Sequence, residues 1–529
     1  MAGKLKVGVV LEPGDVPEWI HRLLDDISGG DVAEIATIAR DTVPAPAVLP
    51  ALAAAVRADA ARTAGAPDPL MRRPLSLPEH TPRGPEPQLD LVLDFGGGAG
   101  AAQPSRLGTF HLAFDGERLL AECAALFRAV AEGALSCDLA LILTPTGGGA
   151  PLVVARSTSH VNDRSFWRTR APVAWKARAL VRRALDRLAR IGSEAFCAEA
   201  RATIDQTRPP LPGPVSAAEF TRFRLRHFFR RCLVPYVLVR DQWRIGLRRR
   251  TDKDPPWGSR AWAQGFRFIE APPGRFYADP FLFERDGRTF LFYEDWEWAE
   301  GKAIISVSEV SAAGEIGPAR PALVTSYHLS NPLVFAAEGE IYMIPETLAR
   351  RRVEVYRAVD FPTRWELHCL PLTDIDIVDP CVVREPDGWL MFAAVLDYGG
   401  SGWDELHVFR ATALCGPWTR VGDNPVLSDV RRARPGGRMW WQDGKLRRLA
   451  QNCAGGYGAG LGLYEVERLD AGGYRQRTVA EVNAFDFRMN GVHAYDATDR
   501  FEVVDGRHYQ AVLGGRAFYW PFPRWFGKH

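Results

Sequence analysis

No two of the eight cysteines in this 529-residue chain stand at C-x-x-C spacing, so neither a zinc site nor a disulfide framework is implied. No apolar run reaches membrane-spanning length. The formal net charge is only +2, which argues against a general nucleic-acid surface, because phosphate neutralisation needs concentrated positive charge. The start runs from Met1 directly into Val7-Gly-Val-Val10 and then Glu12-Pro13, a short strand and not the core of a secretion signal. A cytoplasmic, reducing location is expected. Gly96 to Gly100 follow a strand but lack ordered G-x-G-x-x-G spacing, so they make a poor phosphate loop.

What is present is ordinary globular material, 47% hydrophobic and 25% charged, in a length that calls for two or three domains. Leu5 to Leu11, an amphipathic stretch with Trp19, Ile20, Leu23, Leu24 and Ile27, and Ile35–Ile38 read as a β-α-β opening. An Ala/Pro/Arg-rich tract covers residues 43–88, and strand character returns at Leu89–Phe95 and Leu139–Leu143. The expected division is an α/β domain over residues 1–170, a helical linker region over 171–260 and an all-β five-bladed propeller over 261–529. Within the linker, Arg222, Arg224, Arg226, Arg230 and Arg231 interleave with Phe220, Phe223, Leu225, Phe228 and Phe229. The basic stretch 217–250 reads either as a peripheral contact with an anionic membrane face or as an inter-domain helix whose arginine stems cover apolar surface.

The C-terminal half repeats itself. Asp279-Pro-Phe-Leu-Phe precedes Asp286-Gly, Asn331-Pro-Leu-Val-Phe precedes Glu338-Gly, Asp379-Pro-Cys-Val-Val precedes Asp387-Gly, and Gly436-Gly-Arg-Met-Trp precedes Asp443-Gly. Each reads as a hairpin turning at its Asp/Glu-Gly pair, because both central positions of a two-residue turn need positive φ. A weaker fifth hairpin centres on Asp505-Gly506. A period of roughly 50 residues with three or four strands per unit is propeller spacing.

Counting outward from each turn pairs Asp279 with Glu294 and Asn331 with Glu346, and brackets Asp379 with Val395 and Gly436 with Gln451. Inner strands line a propeller's channel, so Asp279, Glu294, Asn331, Glu346, Asp379 and Gln451 should gather at its mouth. Carboxylates there suit glycosyl transfer or hydrolysis, which needs one acid and one base or nucleophile. Asp279, Asp379, Glu294 and Glu346 are the candidate catalytic residues. Trp296, beside Glu294, offers a stacking platform. His328, His493 and Arg434 join Asn331 and Gln451 as candidate substrate-binding residues. The bland alternative is that Asp-Pro merely starts a strand, and that Arg434, with Arg431 and Arg432, neutralises the ring instead of gripping an anion. Glu354→Gln, on an outer strand, is expected to do little to turnover. No metal or cofactor is expected, and the partner is a carbohydrate or glycolipid.

Tyr277-Ala-Asp-Pro-Phe-Leu-Phe, Tyr327-His-Leu-Ser-Asn-Pro-Leu-Val-Phe, Ile341-Tyr-Met-Ile-Pro-Glu-Thr and Cys415-Gly-Pro-Trp resemble the propeller domain of the glucosamine inositolphosphorylceramide transferases. That propeller is similar in turn to five-bladed arabinanases, xylosidases and levansucrases. The resemblance implies a base or nucleophile at Asp279 and a tuning carboxylate at Asp379. It also implies an acid on the fourth blade, where this chain carries Arg434 and Gly436, leaving Glu294 or Glu346 to replace it. Leu139 to Val154 resemble a segment of the formyltransferases, whose Asn-x-His becomes Thr109-Phe-His111 here, implying a degenerate domain without formyl transfer. The competing functions are a carbohydrate-active enzyme on an envelope glycan or glycolipid precursor, a silent sugar-binding propeller, and a residual formyl or acyl transferase.

Overall fold

The computed structural model describes residues 3–41, 50–63, 65, 67–75, 88–96, 104–119, 124–163, 165–203, 215–233, 238–251, 253–470, 473–513 and 516–519. Two compact units result, Met1–Arg230 with Asp397–Gly400 and Arg231–Leu396 with Ser401–His529.

The first unit is built on a mixed sheet. Its strands run in the order Ala33–Arg40, Leu5–Leu11, Leu89–Phe95, Ser105–Phe114, Ser136–Pro145 and Leu152–His160. The first four are parallel and the last two antiparallel. Helix Glu18–Gly29 buries Trp19, Ile20, Leu23, Leu24 and Ile27 against this sheet, as its 3.6-residue spacing requires. His111 lies on the fourth strand, opposite Asp94. Of the glycine run, Gly97 to Gly100 lie outside the described residues. The basic stretch is a helix only over Ala217–Leu233. Phe223 is buried there and packs edge-on to Phe127 at 5.3 Å, while Arg222 and Arg224 stay exposed. Phe220 and Phe223 of this helix thus pack into their own unit's core. No helix among the described residues is long and apolar enough to cross a membrane.

The second unit is a five-bladed propeller, each blade a sheet of antiparallel strands. Blade one comprises Arg275–Arg285, Arg288–Glu297, Lys302–Val310 and Arg320–Leu323; blade two comprises Ser330–Ala337, Glu340–Glu346, Arg352–Asp360 and Arg364–Thr373. Blade three is formed by Ile377–Glu385, Gly388–Val395, Glu405–Ala411 and Thr419–Arg420, and blade four by Trp440–Gln442, Lys445–Asn452, Gly460–Asp470 and Gly473–Asn483. Blade five differs. Its inner strands Tyr495–Ala497 and Phe501–Leu513 come from the end of the chain, and its outer strands Leu238–Arg249 and Arg267–Ile269 come from before blade one.

Three expectations need correction. Asp505-Gly506 is no turn: both residues lie inside Phe501–Leu513, and the fifth hairpin turns between Ala497 and Phe501. The third hairpin turns at Pro386-Asp387, since Glu385 pairs with Gly388. Leu238–Arg249, placed by its basic composition in a helical linker, is a strand of blade five. Its partner strand lies some 260 residues away, beyond the reach of any local pattern.

A disulfide joins Cys369, on the outer strand of blade two, to Cys415 after the third strand of blade three, with Cα atoms 5.8 Å apart. Spacing in the sequence concealed it, because only the meeting of neighbouring blades brings the pair together.

Glu354 serves the stability of blade two. Fully buried, it accepts hydrogen bonds from the Tyr327 hydroxyl at 2.6 Å, the Tyr356 hydroxyl at 2.5 Å and Arg352 Nε at 2.7 Å. Burial alone would raise its pKa, but these donors outweigh it and hold the carboxyl below its usual value. Stabilisation from a depressed carboxyl is present above the unfolded value, about 4.3, and is lost as pH falls through the folded one. Glu354→Gln should therefore cost about 1–3 kcal/mol at pH 7. In urea unfolding, the gap from the parent protein should narrow below about pH 4.

Candidate active site at the mouth of the propeller channel

Blades one, two and three open in the same irregular way. Their inner-to-second-strand ladders shift register between Ala278 and Phe281, Ser330 and Leu333, and Val378 and Cys381. Asp279, Asn331 and Asp379 stand in these bulges with φ of 49°, 46° and 48°. A proline follows each, and proline cannot donate to a ladder, so a bulge is where a strand tolerates it. Left-handed backbone at a non-glycine residue is strained by about 1–3 kcal/mol, least for Asp and Asn. Three equivalent strained positions point to more than strand initiation.

The bulges also change the pairing expected from simple counting. Ala278, not Asp279, faces Glu294; Ser330 faces Glu346; Val378 faces Ala394 and Ile377 faces Val395. Pro435, not Gly436, bridges to Ala450 beside Gln451. The backbone N–H groups of the bulged residues are thereby freed from the ladder and turn to carboxylates. The Asn331 backbone N–H donates to Asp279 Oδ2 at 3.1 Å, that of Asp279 to Asp505 Oδ2 at 3.3 Å, and that of Asp379 to Glu346 Oε2 at 3.3 Å.

Two groups share the mouth. In the first, His493 Nε2 lies 3.1 Å from Asp279 Oδ1 and His493 Nδ1 lies 2.5 Å from Asp505 Oδ2. His328 Nδ1 accepts the Ala303 N–H at 3.1 Å, which leaves its proton on Nε2, 3.8 Å from Glu294 Oε1. Trp296 stacks on Phe276 at 5.6 Å and meets the His328 ring at 5.3 Å. In the second group, Asp379 Oδ2 receives Arg434 Nε at 2.6 Å and Gln451 Nε2 at 2.8 Å. Arg434 also lies over the Tyr457 ring, and that ring reaches His493 at 4.8 Å. The structure thus brings all ten sequence-predicted residues into one neighbourhood.

Their electrostatics divide them. Glu294 is pushed well above the carboxylate range by burial and then by Asp279, against an opposing pull from His493. Glu346 is raised in the same way by burial and Asp379, against Arg434. Both carboxyls are thus pushed toward their protonated form. Burial disfavours a charge on His493, but Asp505 and Asp279 override it and lift the imidazole to about 10. Burial lowers His328, which keeps that ring neutral. A buried carboxyl pushed toward its neutral form, Glu294, beside Asp279, which faces His493, is an arrangement that suits the two roles of glycosyl chemistry.

Arg434 neutralises Asp379, while Arg431 and Arg432 bind Asp429 at 2.8 Å and 2.9 Å; the arginine cluster is thus no separate anion grip. The fourth blade carries Gly436 where the first three carry Asx, and the place is crowded: a Cβ there would lie 2.8 Å from Leu461 Cδ2 and 3.1 Å from the His493 carbonyl oxygen. Asp279, His493 and Asp505 present ligand atoms within 4.8 Å of one another. His493 Nε2 faces Asp279 Oδ1, and Nδ1 sits 2.5 Å from Asp505 Oδ2 without an aligned hydrogen bond. Asp505, Trp243, Tyr457, Arg438 and Asp496 were not anticipated. Asp505 was hidden because Asp-Gly reads as a turn.

Residues 268–509 match the family described as "Glucosamine inositolphosphorylceramide transferase 1, N-terminal". The protein of Oryza sativa subsp. japonica named glucosamine inositolphosphorylceramide transferase 1 is 33% identical over 221 residues, 39% of this chain and 28% of the relative. Its Arabidopsis thaliana namesake is 32% identical over 219 residues, 39% of this chain and 27% of the relative. The chain thus spans little more than a quarter of the length of these curated relatives. Among solved structures, an exo-β-1,3-galactanase from Clostridium thermocellum aligns with a TM-score of 0.33 at 12% identity, covering 40% of this chain and 53% of the other. A β-xylosidase/α-arabinofuranosidase from a compost microbial metagenome aligns with a TM-score of 0.32 at 11% identity, covering 47% and 96%. The propeller is what relates this chain to the glucosamine inositolphosphorylceramide transferase N-terminal family.

Proposed function

We propose that the channel mouth binds a sugar and acts on its glycosidic bond, by hydrolysis or by transfer to an acceptor hydroxyl. The supporting observation is Glu294, a buried carboxyl pushed well above its usual range, beside Asp279, which faces His493 at 3.1 Å. Glu294 gives its proton to the leaving oxygen. Asp279 takes the proton of the attacking water or hydroxyl, or itself attacks the anomeric carbon. Asp379, fixed by Arg434 and Gln451, positions the sugar, and Trp296 offers its face. The relatives' name suggests a glucosamine-bearing glycolipid headgroup as substrate, and their low coverage keeps that part a proposal. Release of nitrophenolate from 4-nitrophenyl glycosides of glucosamine, N-acetylglucosamine, galactose and xylose tests the reaction. Turnover of at least one, with a bell-shaped pH profile, is expected.

A silent sugar-binding propeller is the second reading. It is favoured by Arg434, which occupies the blade where the resemblance implies an acid and is committed to Asp379. Measurable sugar binding by calorimetry with no turnover of any glycoside would select it.

A further inference from the structure

Asp505 occupies the middle of a strand with its side chain wholly buried. Its Oδ1 accepts the backbone N–H groups of His493 at 2.8 Å and Ala494 at 3.1 Å. Its Oδ2 accepts the Asp279 N–H and lies 2.5 Å from His493 Nδ1. His493 is 2% exposed and is held between the rings of Trp243 at 4.2 Å and Tyr457 at 4.8 Å, so it has no freedom to turn away. The groups that face or bias it are Asp279 and Glu294 from blade one, Asp505 from blade five, Arg434 and Tyr457 from the segments around blade four, and Arg507 across the Trp243 ring. Among these, Asp505 is the one carboxylate that touches both His493 and the Asp279 backbone.

We propose that Asp505 is a positioning residue for Asp279: it clamps His493 with a proton on each ring nitrogen, so that one proton is always presented to Asp279 Oδ1. This rests on the reading of Asp279 as the reacting carboxylate. The His493 donor at Oδ1 and the Asn331 N–H at Oδ2 set the carboxylate plane, and each oxygen keeps a lone pair for the channel. The same clamp couples the Asp279 backbone to its side chain, because Asp505 Oδ2 accepts the very amide that fixes the left-handed turn.

The test uses the full chain labelled with 15N-histidine, with His493 assigned through His493→Gln. In the parent protein both ring nitrogens should remain protonated up to pH 9; in Asp505→Asn the ring should lose a proton within the range pH 5–9. With the 4-nitrophenyl glycoside that is turned over, Asp505→Asn should move the acidic limb of the rate profile upward by about one pH unit. A His493 that titrates near its ordinary value in the parent protein, or spectra and an acidic limb that Asp505→Asn leaves unmoved, overturns the clamp. Should Asp505→Asn not fold, His493→Gln must produce the same shift of the limb, and an unshifted limb overturns the proposal equally. If no glycoside is turned over, the spectra still decide the clamp, while the failure lies with the proposed reaction.

Discussion

Asp279→Asn should leave a folded propeller whose turnover of a 4-nitrophenyl glycoside has fallen by about a hundredfold or more, the usual scale for losing a general acid or base. The substitution suits this position because Asn, like Asp, tolerates left-handed backbone, and Asn331 already occupies the equivalent place in blade two with φ of 46°. Its side-chain oxygen can still accept a proton from His493 or from the Asn331 amide, so what is removed is chiefly the charge. Asp279→Ala would confound the experiment by adding backbone strain. The reading fails if Asp279→Asn unfolds the protein while the surviving folded fraction turns over at the full rate. In that case the Asp-Pro bulge is structural and nothing more.

The largest effect on stability is expected at Arg438, which no repeat pattern singles out. Its Nε and Nη2 reach Asp496 Oδ1 and Oδ2 at 2.9 Å and 3.1 Å, its Nη1 donates to the Val334 carbonyl at 3.0 Å, and its Nη2 donates to that of Leu282 at 3.1 Å. One guanidinium at the start of blade four thereby joins blades five, one and two. Asp496 is almost wholly buried and otherwise accepts the Leu282 N–H at 2.8 Å. Arg438→Met leaves that carboxylate without its counter-ion, a loss of about 3–5 kcal/mol. Urea unfolding should show it as a lower midpoint, and the pair Arg438→Met with Asp496→Leu should recover part of the loss, because no charge is then stranded. A single-variant loss below about 1 kcal/mol would mean that Arg438 is only one of many equivalent blade contacts.

How far the fold and the site were legible follows from the range of the signals. Leu5–Leu11 and Leu89–Phe95 appear with the bounds read from their apolar runs, and Asp286-Gly287 turns where expected because a two-residue hairpin is a local affair. The bulges at Asp279, Asn331 and Asp379 could have been suspected from the prolines behind them, but the resulting shift in partner appears only in the ladder. The ring of carboxylates was legible because equivalent places in successive blades repeat the same residue type. Asp505 was not, since its partner His493 is a single histidine outside any repeat. Cys369 and Cys415, like Leu238–Arg249, meet partners that only closure of the ring supplies.

The ring is closed by main-chain pairing of Leu238–Arg249 with Phe501–Leu513, from Leu238 opposite Val512 to Arg249 opposite Phe501. During synthesis the earlier strand emerges more than 250 residues before its mate, so through the making of four blades it waits as an unpaired edge. Exposed edges of this kind invite pairing with other chains, and contacts so distant along the chain form late and slowly. His493 and Asp505 belong to the same late segment. The channel mouth therefore cannot acquire its imidazolium until the last blade is laid down, and a chain interrupted before that point would hold most of its β-structure and none of the completed site.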